Sequence, residues 1–572
     1  MKRCSSLLRM AVIAAVIAVL PTSPLDAQQP QQKASDAHVT DLMNQALKQL
    51  NAGQTAQGAV QPVQGQTVDL RLDDAVGRAM DQNIDLAVAR LNPQIQDLAL
   101  AGTRAAYRPT LTSTLGDRSR SQTASNTLSG AAAGAVTSTQ TYTYNGGVSQ
   151  VLPWTGGTAS LSWTNSRAFT DSNNYTINPT YQSSFTAQIQ QPLWRNFRTD
   201  STRNSILTGL ISRQVADVNL RSSVVNTEAS TRNAYWDLVY AVQNVEIQEN
   251  AVKLAEQFVK DNQAKVEVGT LAPLDVIQAQ SNLASARQRL MQAQQVREQN
   301  ELTLKRLIVG STQDPLWAAT LNPVDRPEPP ARAEPIDVKA AIANALSKRT
   351  DLEVARQTLR QSEITLRYNK NQTLPDANLT ASYSSSGTGG NIYDRKVVVG
   401  GVPTLLQAGG YMDALSVLRR LQVPDWNVQV QFSYPIGTSS AEASYARARV
   451  QYQQSLTQMK SAELRVATDV TQAALNVRSN LQQVETARAA RELAQKQLEA
   501  EQSKFEVGMQ TNFFVVQAQQ NLATAQVSEL QALLNYRKSL VTFDQVQLTG
   551  SGSVSGVSST SGSSSGGGGG GQ

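Results

Sequence analysis

The stretch KVEVGTLAPLDVIQAQSNLASA, from Lys265 to Ala286, occurs a second time as KFEVGMQTNFFVVQAQQNLATA, from Lys504 to Ala525. The two stretches align without a gap at an offset of 239 residues, and twelve of the twenty-two positions are identical. Each contains a glycine, Gly269 or Gly508, between two amphipathic segments. Because glycine readily takes the left-handed conformation that closes many helices, both stretches predict a tight reversal between two helices.

A second internal match shows that the whole chain is duplicated. DLAVAR at residues 85–90 returns as DLEVAR at residues 351–356, an offset of 266. At this offset Pro109 also aligns with Pro375. The sequence therefore predicts a tandem repeat. The first repeat spans residues 70–308, the Pro-rich linker 309–336 and the second repeat 337–548.

Both repeats contain the same parts in the same order. A helical stretch ends at a proline, which cannot continue a helix. Alternating, aromatic-rich segments typical of strands follow, and then a long helix, a turn and a return helix. The second long helix opens with Ser439 three residues before Glu442, which is the spacing of a capping box. The predicted opening helices are 72–107 and 337–371, the strands lie at about 110–192 and about 376–435, and the turns at 269–273 and 508–512.

The long helices carry a seven-residue apolar period. This period predicts a left-handed supercoil with a neighbouring helix, although an ordinary bundle helix gives nearly the same pattern. The first long helix, residues 203–268, would extend about 100 Å at about 1.5 Å per residue, more than a compact domain can hold. The heptad positions are Leu238, Val245, Val252, Val259 and Val266 in the first repeat, and Val477, Val484, Arg491, Leu498 and Phe505 in the second, where Arg491 is a charged break.

The N-terminal residues 1–27 resemble a secretory signal peptide. Lys2, Arg3 and Arg9 precede a short apolar run, and Ala27 offers a cleavage site. The alternative is an N-terminal membrane anchor. The only cysteine is Cys4, which precedes the apolar run, so we expect neither a lipid anchor nor a disulfide in the mature chain.

The rest of the composition excludes several classes of protein. No other segment reaches about 18 consecutive apolar residues, so no transmembrane helix is predicted. The net charge of +6 is small for 572 residues, and nucleic-acid binding is not expected. A Gln-rich leader at 28–69 and a Gly/Ser-rich tail at 549–572 are low in complexity, and the tail is predicted to be disordered.

The predicted strands have features of membrane strands. They alternate with period two and carry aromatic residues such as Trp163, Trp194 and Phe432, which suit lipid interfaces. A few strands cannot close a barrel, and open sheet edges are costly in lipid. The chain is therefore expected to associate with copies of itself.

With these parts in this order, the sequence resembles the TolC family of outer-membrane efflux proteins. The resemblance covers nearly all of residues 70–548 and rests on LRLDDAVGRAMDQNIDLAVARL with its echo in the second repeat, QPLW after the strands, and the two VG turns followed by QAQ. It implies a mostly α fold with a β-barrel part. Long coiled-coil α-hairpins repeat in tandem, and trimerisation completes the outer-membrane barrel above a periplasmic helical tunnel.

The resemblance also implies function and partners. A homotrimer in outer-membrane lipid would expel substrates together with a periplasmic adaptor (membrane fusion) protein and an inner-membrane transporter of the RND, ABC or MFS class. The tips expected to contact the adaptor are Val268, Gly269, Thr270, Leu271, Val507, Gly508, Met509 and Gln510. The alternative for the glycines is that they only close helices.

Two features depart from the family pattern. The segments TYTYNGGVSQVLPW and TASLSWTNS indicate an additional strand pair in the first repeat, where the family usually has one hairpin per repeat and twelve strands per trimer. Family members also often carry a ring of acidic residues at the periplasmic gate. Here the second return helix has Phe513, Phe514 and Gln517 in that region, and the acid lies in the first repeat at Asp275. These four residues are the candidate gate, with Phe514 favoured as an apolar constriction; the alternative is that both phenylalanines belong to the hairpin core.

Three competing functions remain. A structural or adhesive periplasm-spanning coiled coil without channel activity would show longer uninterrupted heptads. A periplasmic adaptor would carry one hairpin instead of two repeats. An enzyme is the least favoured, because the only histidine is His38 in the leader and the sequence has no catalytic motif or metal-ligand cluster. We therefore expect no catalytic residue, no metal and no cofactor, and the cargo does not follow from this chain.

Overall fold

The computed structural model describes residues 67–550 except 124–130, 132–133, 173–174, 270–271, 327–335, 395–403 and Gly508. The predicted signal peptide lies outside the described residues. So do nearly all of the Gln-rich leader and the Gly/Ser tail, and part of the Pro-rich linker. Three of the predicted tip residues, Thr270, Leu271 and Gly508, also fall outside this description.

Long helices dominate both repeats. The second long helix has the predicted capping box, since Glu442 N donates to Ser439 Oγ at 3.1 Å and Ser439 N to Glu442 Oε2 at 3.4 Å. None of the helices in the described part of the chain has an apolar stretch of the length that crosses a membrane. The helices are α1 (Leu72–Gln82), α2 (Ile84–Arg104), α3 (Ser201–Glu267), α4 (Pro273–Ile308), α5 (Pro315–Ala318), α6 (Val338–Lys348), α7 (Thr350–Gln372), α8 (Tyr411–Arg419), α9 (Ser440–Glu506) and α10 (Asn512–Leu548).

The opening helix of each repeat is broken, which corrects the prediction of continuous helices over 72–107 and 337–371. The breaks fall at Asn83 and Arg349, which align at the offset of 266. Buried Asn83 accepts a bond from Leu86 N at 2.9 Å and donates to Leu307 O at 3.0 Å. These buried polar groups satisfy backbone atoms that the interrupted helices leave free.

The strands form two sheets. The first is a parallel pair, β1 with β6, in which Thr67 lies opposite Thr320. The second is antiparallel, with neighbours in the order β2-β3-β4-β5-β7, and with β8 and β9 both pairing with β7. The strands are β1 (Thr67–Leu70), β2 (Thr110–Thr123), β3 (Val136–Val151), β4 (Thr158–Thr170), β5 (Ile177–Pro192), β6 (Thr320–Pro323), β7 (Asp376–Tyr393), β8 (Leu405–Gln407) and β9 (Pro424–Ser433).

This sheet differs from the sequence prediction in one respect and confirms it in another. The predicted strand region 376–435 also contains helix α8, which the period-two pattern did not indicate. The additional strand pair in the first repeat is confirmed, because β3 and β4 pair from Thr139–Thr170 to Val151–Thr158.

The chain divides into two compact units, and each unit combines parts of both repeats. The strand unit contains Ile95–Arg213 and Thr358–Ser455, and the helical unit contains the described parts of Ala46–Gln94, Gln214–Gln357 and Leu456–Gln572. The repeats mix within the strand unit because β5 of the first repeat pairs with β7 of the second.

The helical unit has its largest apolar cluster around Tyr235 and Leu238 of α3. The Tyr235 hydroxyl donates to Asp325 Oδ2 at 2.6 Å and lies 3.0 Å from Leu70 O, which connects α3 to the parallel strand pair. Burial raises the pKa of Tyr235 above its ordinary value. The other buried members include Leu70, Ala75, Ala79, Leu304, Ile308 and Leu321.

The heptad positions of the long helices are mostly buried, as a helix-packing seam requires. Leu238, Val245, Val252, Val259, Val477, Val484 and Leu498 are all buried. The charged break has its own partner: Arg491 Nε lies 2.7 Å from Glu529 Oε2 on α10. An ion pair between the two helices thus takes the place of an apolar contact at this level.

Candidate functional site

The antiparallel sheet of the strand unit has one apolar face. Alternate residues of a strand point to one side, so the register of the strands decides which side chains share a face. Trp163 lies opposite Phe185, and Tyr383 lies opposite Trp426. The exposed members of this apolar face include Leu111, Leu115, Val148, Leu161, Trp163, Phe185, Trp426, Val428, Val430 and Phe432.

A continuous exposed apolar surface of this kind indicates contact with lipid or with another protein. Its aromatic residues suit the interface between hydrocarbon and headgroups. Near the ends of the strands that adjoin the helices, Trp194 and Phe432 pack edge to face at 6.0 Å between ring centroids.

The opposite face of the sheet is polar. It carries hydroxyl and amide side chains with few charges, a surface that suits a water-filled passage. By register this polar face contains Thr112, Thr114, Thr141, Thr143, Ser160, Ser162, Thr164, Thr186, Gln188, Thr380, Ser382, Gln429 and Gln431.

Helix α8 lies on the apolar side of the sheet, beyond the aromatic row. The Tyr411 hydroxyl is 2.9 Å from Asn165 Oδ1, and the Tyr411 ring packs against Tyr144 at 5.8 Å. Two strand glycines make this approach possible: a Cβ on Gly387 would lie 2.0 Å from Ala414 O, and one on Gly389 2.3 Å from Gly410 O. Glycine in a strand often marks such a close backbone approach.

The first helical turn is closed by Gly269. The helix ends at Glu267, and Gly269 N donates to Val266 O at 2.9 Å with a φ of +80°. This left-handed conformation is the one that the sequence predicted for a helix-closing glycine. Pro273 begins the return helix α4, as its position in the sequence indicated. Val268 is exposed, and a Cβ on Gly269 would meet nothing within 4 Å.

The second helical turn is held by polar side chains. The amide of Gln510 donates to Glu501 Oε2 at 2.8 Å, and Lys504 pairs with Glu501 at 2.9 Å. The Lys504 ammonium and the Gln510 amide hold the pKa of Glu501 below its ordinary value. Val507 and Met509 are exposed on this turn.

The gate candidates lie at the start of α10. Asn512 is buried and donates to Asp275 O at 2.8 Å, so the two turns meet here within the helical unit. The Phe513 and Phe514 rings touch edge to face at 5.6 Å, and they are 50% and 46% exposed. Within one chain neither ring is hairpin core.

That core is formed instead by buried residues that follow the two phenylalanines. Val515, Val516 and Ala518 pack against Phe258 and Leu498. Gln517 is exposed and bonds Asn521 at 3.0 Å on the same helix. The helix therefore turns Phe513, Phe514 and Gln517 away from its own hairpin contacts.

Sequence reasoning missed several residues near these turns. Gln520 donates to Asn282 Oδ1 at 2.9 Å, and these residues are one position away from equivalence in the two repeats. The ammonium of Lys265 lies 4.2 Å from the centre of the Phe505 ring. Such contacts have no period in the sequence that would reveal them. Within the described part of the chain, His, Cys, Asp and Glu side chains nowhere gather in threes suited to a metal ion.

Solved structures of outer-membrane channels share this fold. CmeC of Campylobacter jejuni matches with 15% identity, a TM-score of 0.58 and coverage of 83% of this chain and 85% of that one. The open state of MtrE from Neisseria gonorrhoeae matches with 17% identity, a TM-score of 0.55 and coverage of 84% and 89%. OprN matches with 15% identity, a TM-score of 0.58 and coverage of 93% and 99%. At these identities the likeness shows the fold alone.

The chain thus has the fold class of these solved channels, with repeated helical hairpins and a shared sheet. The sequence profile of the family described as "Outer membrane efflux protein" matches residues 144–310 and 341–547, more than half of the chain. The chain belongs to this family, which confirms the resemblance to the TolC family. It is an outer-membrane export channel with its helical tunnel in the periplasm. A comparison with curated protein sequences gives no match.

Proposed function

We propose that three copies of this chain form the channel. The observation that carries this proposal is the two-faced sheet, in which the outer edges of β2 and β9 have no pairing partner among the described residues. Open edges are not tolerated in hydrocarbon, and closure by further copies removes them. The strands alternate in direction, so β9 of one copy meets β2 of the next in antiparallel orientation.

Thiol crosslinking tests this closure. Thr112 aligns at the offset of 266 with Asn378, which pairs with Gln431. A chain with Thr112→Cys and Gln431→Cys has both thiols on the polar face, and a short flexible bis-maleimide should join three copies covalently. Leu111→Cys with Gln431→Cys places the thiols on opposite faces and is the control. A monodisperse, uncrosslinked monomer with intact strands in mild detergent would refute the trimer.

Channel activity is tested by single-channel recording in planar bilayers. The export channel is expected to conduct, whereas a structural or adhesive coiled coil would give no conductance. The conductance is measured on the trimeric protein, because the polar face of the sheet is enclosed only when the edges are joined.

The export partners are proposed to be a periplasmic adaptor and an inner-membrane transporter. The exposed Val268 and Met509, with Gly269, Val507, Gln510 and the undescribed Thr270, Leu271 and Gly508, form the proposed adaptor contact. Copurification of the chain from its own membranes should bring down both partners. Which transporter class is recovered will indicate the cargo.

Near these tips, Phe514 of three copies would surround the three-fold axis as an apolar constriction. Such a ring can close a pore by dewetting, without charge. The exposure of Phe514 within one chain leaves its ring free for this contact. Phe513 packs against its ring, and Asp275 O accepts from nearby Asn512. Gln517 lies one helical turn after Phe514 on α10.

A further inference from the structure

The hairpin of β3 and β4 is a full part of the membrane sheet. All fourteen residues of β2 pair with β3, from Thr110–Ser149 to Thr123–Val136. On its other side, β4 pairs with β5 from Thr158–Gln190 to Ala168–Thr180. Two long strands therefore separate β2 from β5, whereas the corresponding strands of the second repeat, β7 and β9, are direct neighbours.

The side chains of this hairpin follow the two faces of the sheet. Val148, Leu161 and Trp163 continue the apolar face, and Thr143 and Ser162 continue the polar face. A hairpin lying in water above the membrane would have no reason to keep an apolar side exposed. Its alternation is that of a membrane strand.

The turn of this hairpin is fixed where the strands adjoin the helices. Leu152 N donates to Gly157 O at 2.7 Å, and the Arg203 guanidinium donates to Pro153 O at 2.7 Å. A Cβ on Gly156 would lie 2.5 Å from Asn196 O, so the turn is packed directly on the segment after β5. These contacts fix the β3–β4 hairpin beside β5, the strand that pairs with β7 of the second repeat.

In the part of the chain that the structure describes, each copy thus has six long strands: β2, β3, β4, β5, β7 and β9. We propose that the trimer closes a barrel of about 18 strands, instead of the twelve usual in the family, with the β3–β4 hairpin in the wall. This inference rests on the proposed trimer. Barrel diameter grows roughly linearly with strand number, so the opening is about 1.5 times as wide as that of a twelve-stranded barrel.

The wider barrel has a consequence for cargo. Its polar face is rich in Thr, Ser and Gln hydroxyl and amide groups, so the lumen is a water-filled passage with little charge selectivity. The hairpin adds no residue to the helical unit, so a size limit that the helices set for cargo does not depend on it.

Lipid contact of the hairpin is tested with Trp163. Two variants that keep a single tryptophan are compared in vesicles: one retains Trp163, and the other carries Trp163→Phe with Thr164→Trp, which moves the indole to the polar face. Brominated lipid should strongly quench the fluorescence of the variant that retains Trp163. Aqueous iodide should quench the fluorescence of the variant with Thr164→Trp. Equal quenching of both variants by iodide, in a protein that still crosslinks as a trimer and conducts, would overturn the 18-strand barrel while leaving the trimeric channel intact.

The width of the barrel is tested by removing the hairpin. Deleting residues 136–170 joins the end of β2 to the start of β5, and these two strands are already antiparallel. Neutral polymers added from the barrel side reduce conductance only when they enter. When polymers are added from the barrel side, the largest one that enters should be about 1.5 times wider in the full chain than in the deletion variant. When they are added from the helical side, the largest polymer that enters should have the same size in both proteins. If the largest polymer that enters from the barrel side has the same size in both proteins, the proposal is contradicted. If the deletion variant does not assemble, the quenching of Trp163 tests the proposal instead.

Discussion

Arg349 lies at the break between helices α6 and α7. Its side chain is 1% exposed and pairs with Asp351 and Asp469, each at 2.9 Å. It also donates to Val546 O at 3.3 Å. Although burial disfavours the charge, the two carboxylates prevail and the pKa of Arg349 is raised. The guanidinium thus joins α6, α7, α9 and α10 at one point.

Replacing Arg349 with methionine should therefore destabilise the helical unit. The change leaves two partly exposed carboxylates without their partner and removes the donor to Val546 O, so we expect a loss of about 1–3 kcal/mol. Urea unfolding followed by helical circular dichroism measures the loss. Arg367→Met, which breaks an exposed pair with Glu363, is the control and should cost at most about 1 kcal/mol. Similar losses in the two variants would contradict the special role of Arg349.

Tyr235 should make stability depend on alkaline pH. Its folded pKa lies above the ordinary value of 10.0, so the unfolded chain releases this proton first. Its stabilising contribution is complete below pH 10.0 and decreases as the pH rises above that value. Tyr235→Phe should cost about 1–3 kcal/mol at neutral pH, because Asp325 loses a donor.

The same variant should flatten the decline in unfolding free energy above pH 10.0. Urea unfolding over a series of alkaline buffers measures the decline. Exposed Tyr434→Phe serves as the control and should change neither quantity. An identical alkaline decline in Tyr235→Phe and in the parent chain would show that other groups are responsible.

Among the elements, helix α8 depends on glycines in the strand beneath it. Gly387→Ala places a methyl group 2.0 Å from Ala414 O, which forces the helix away from the sheet. We expect a loss of about 1–3 kcal/mol from this overpacking. Gly146→Ala is the matched control, because it lies in strand β3 and its Cβ would meet nothing within 4 Å. The melting temperatures of the two variants are compared by thermal unfolding. Equal melting temperatures would refute the contact between α8 and Gly387.

The turn after α3 depends on the backbone of Gly269 and not on space around it. At a φ of +80°, Gly269→Val is strained, whereas Gly269→Asn is tolerated because asparagine accepts this conformation. The valine variant should weaken crosslinking to the adaptor and reduce export, and the asparagine variant should retain both. Normal export and unchanged crosslinking in both Gly269→Val and Gly508→Val would refute the tip assignment.

At the scale of the whole molecule, the gate proposed at Phe514 would form only when three copies assemble. Because its ring is exposed within one chain, Phe514→Ala should change stability little and should raise the resting conductance in planar bilayers. Leu498→Ala removes a buried side chain of the same region and should cost about 2–5 kcal/mol without opening the channel. A stable Phe514→Ala trimer with unchanged conductance would exclude Phe514 as the gate.

The sequence by itself determined the duplication, the long helices, the turn at Gly269 and the additional strand pair. These features depend on local chemistry: a glycine that closes a helix, a proline that starts one, and apolar periods of seven and two. The same features also indicated the resemblance to the TolC family. Each of these local signals lies within a short stretch of the chain, and the glycine of the turn recurs in the second repeat as Gly508.

Tertiary structure alone decided the breaks at Asn83 and Arg349, the placement of α8, and the register that aligns the apolar sides of the strands across the sheet. Arg349 ends a helix because its partners Asp469 and Val546 come from distant segments. Helix α8 forms where Gly387 and Gly389 leave room for its backbone. Such contacts depend on residues far apart in the chain, and a local period carries no record of them.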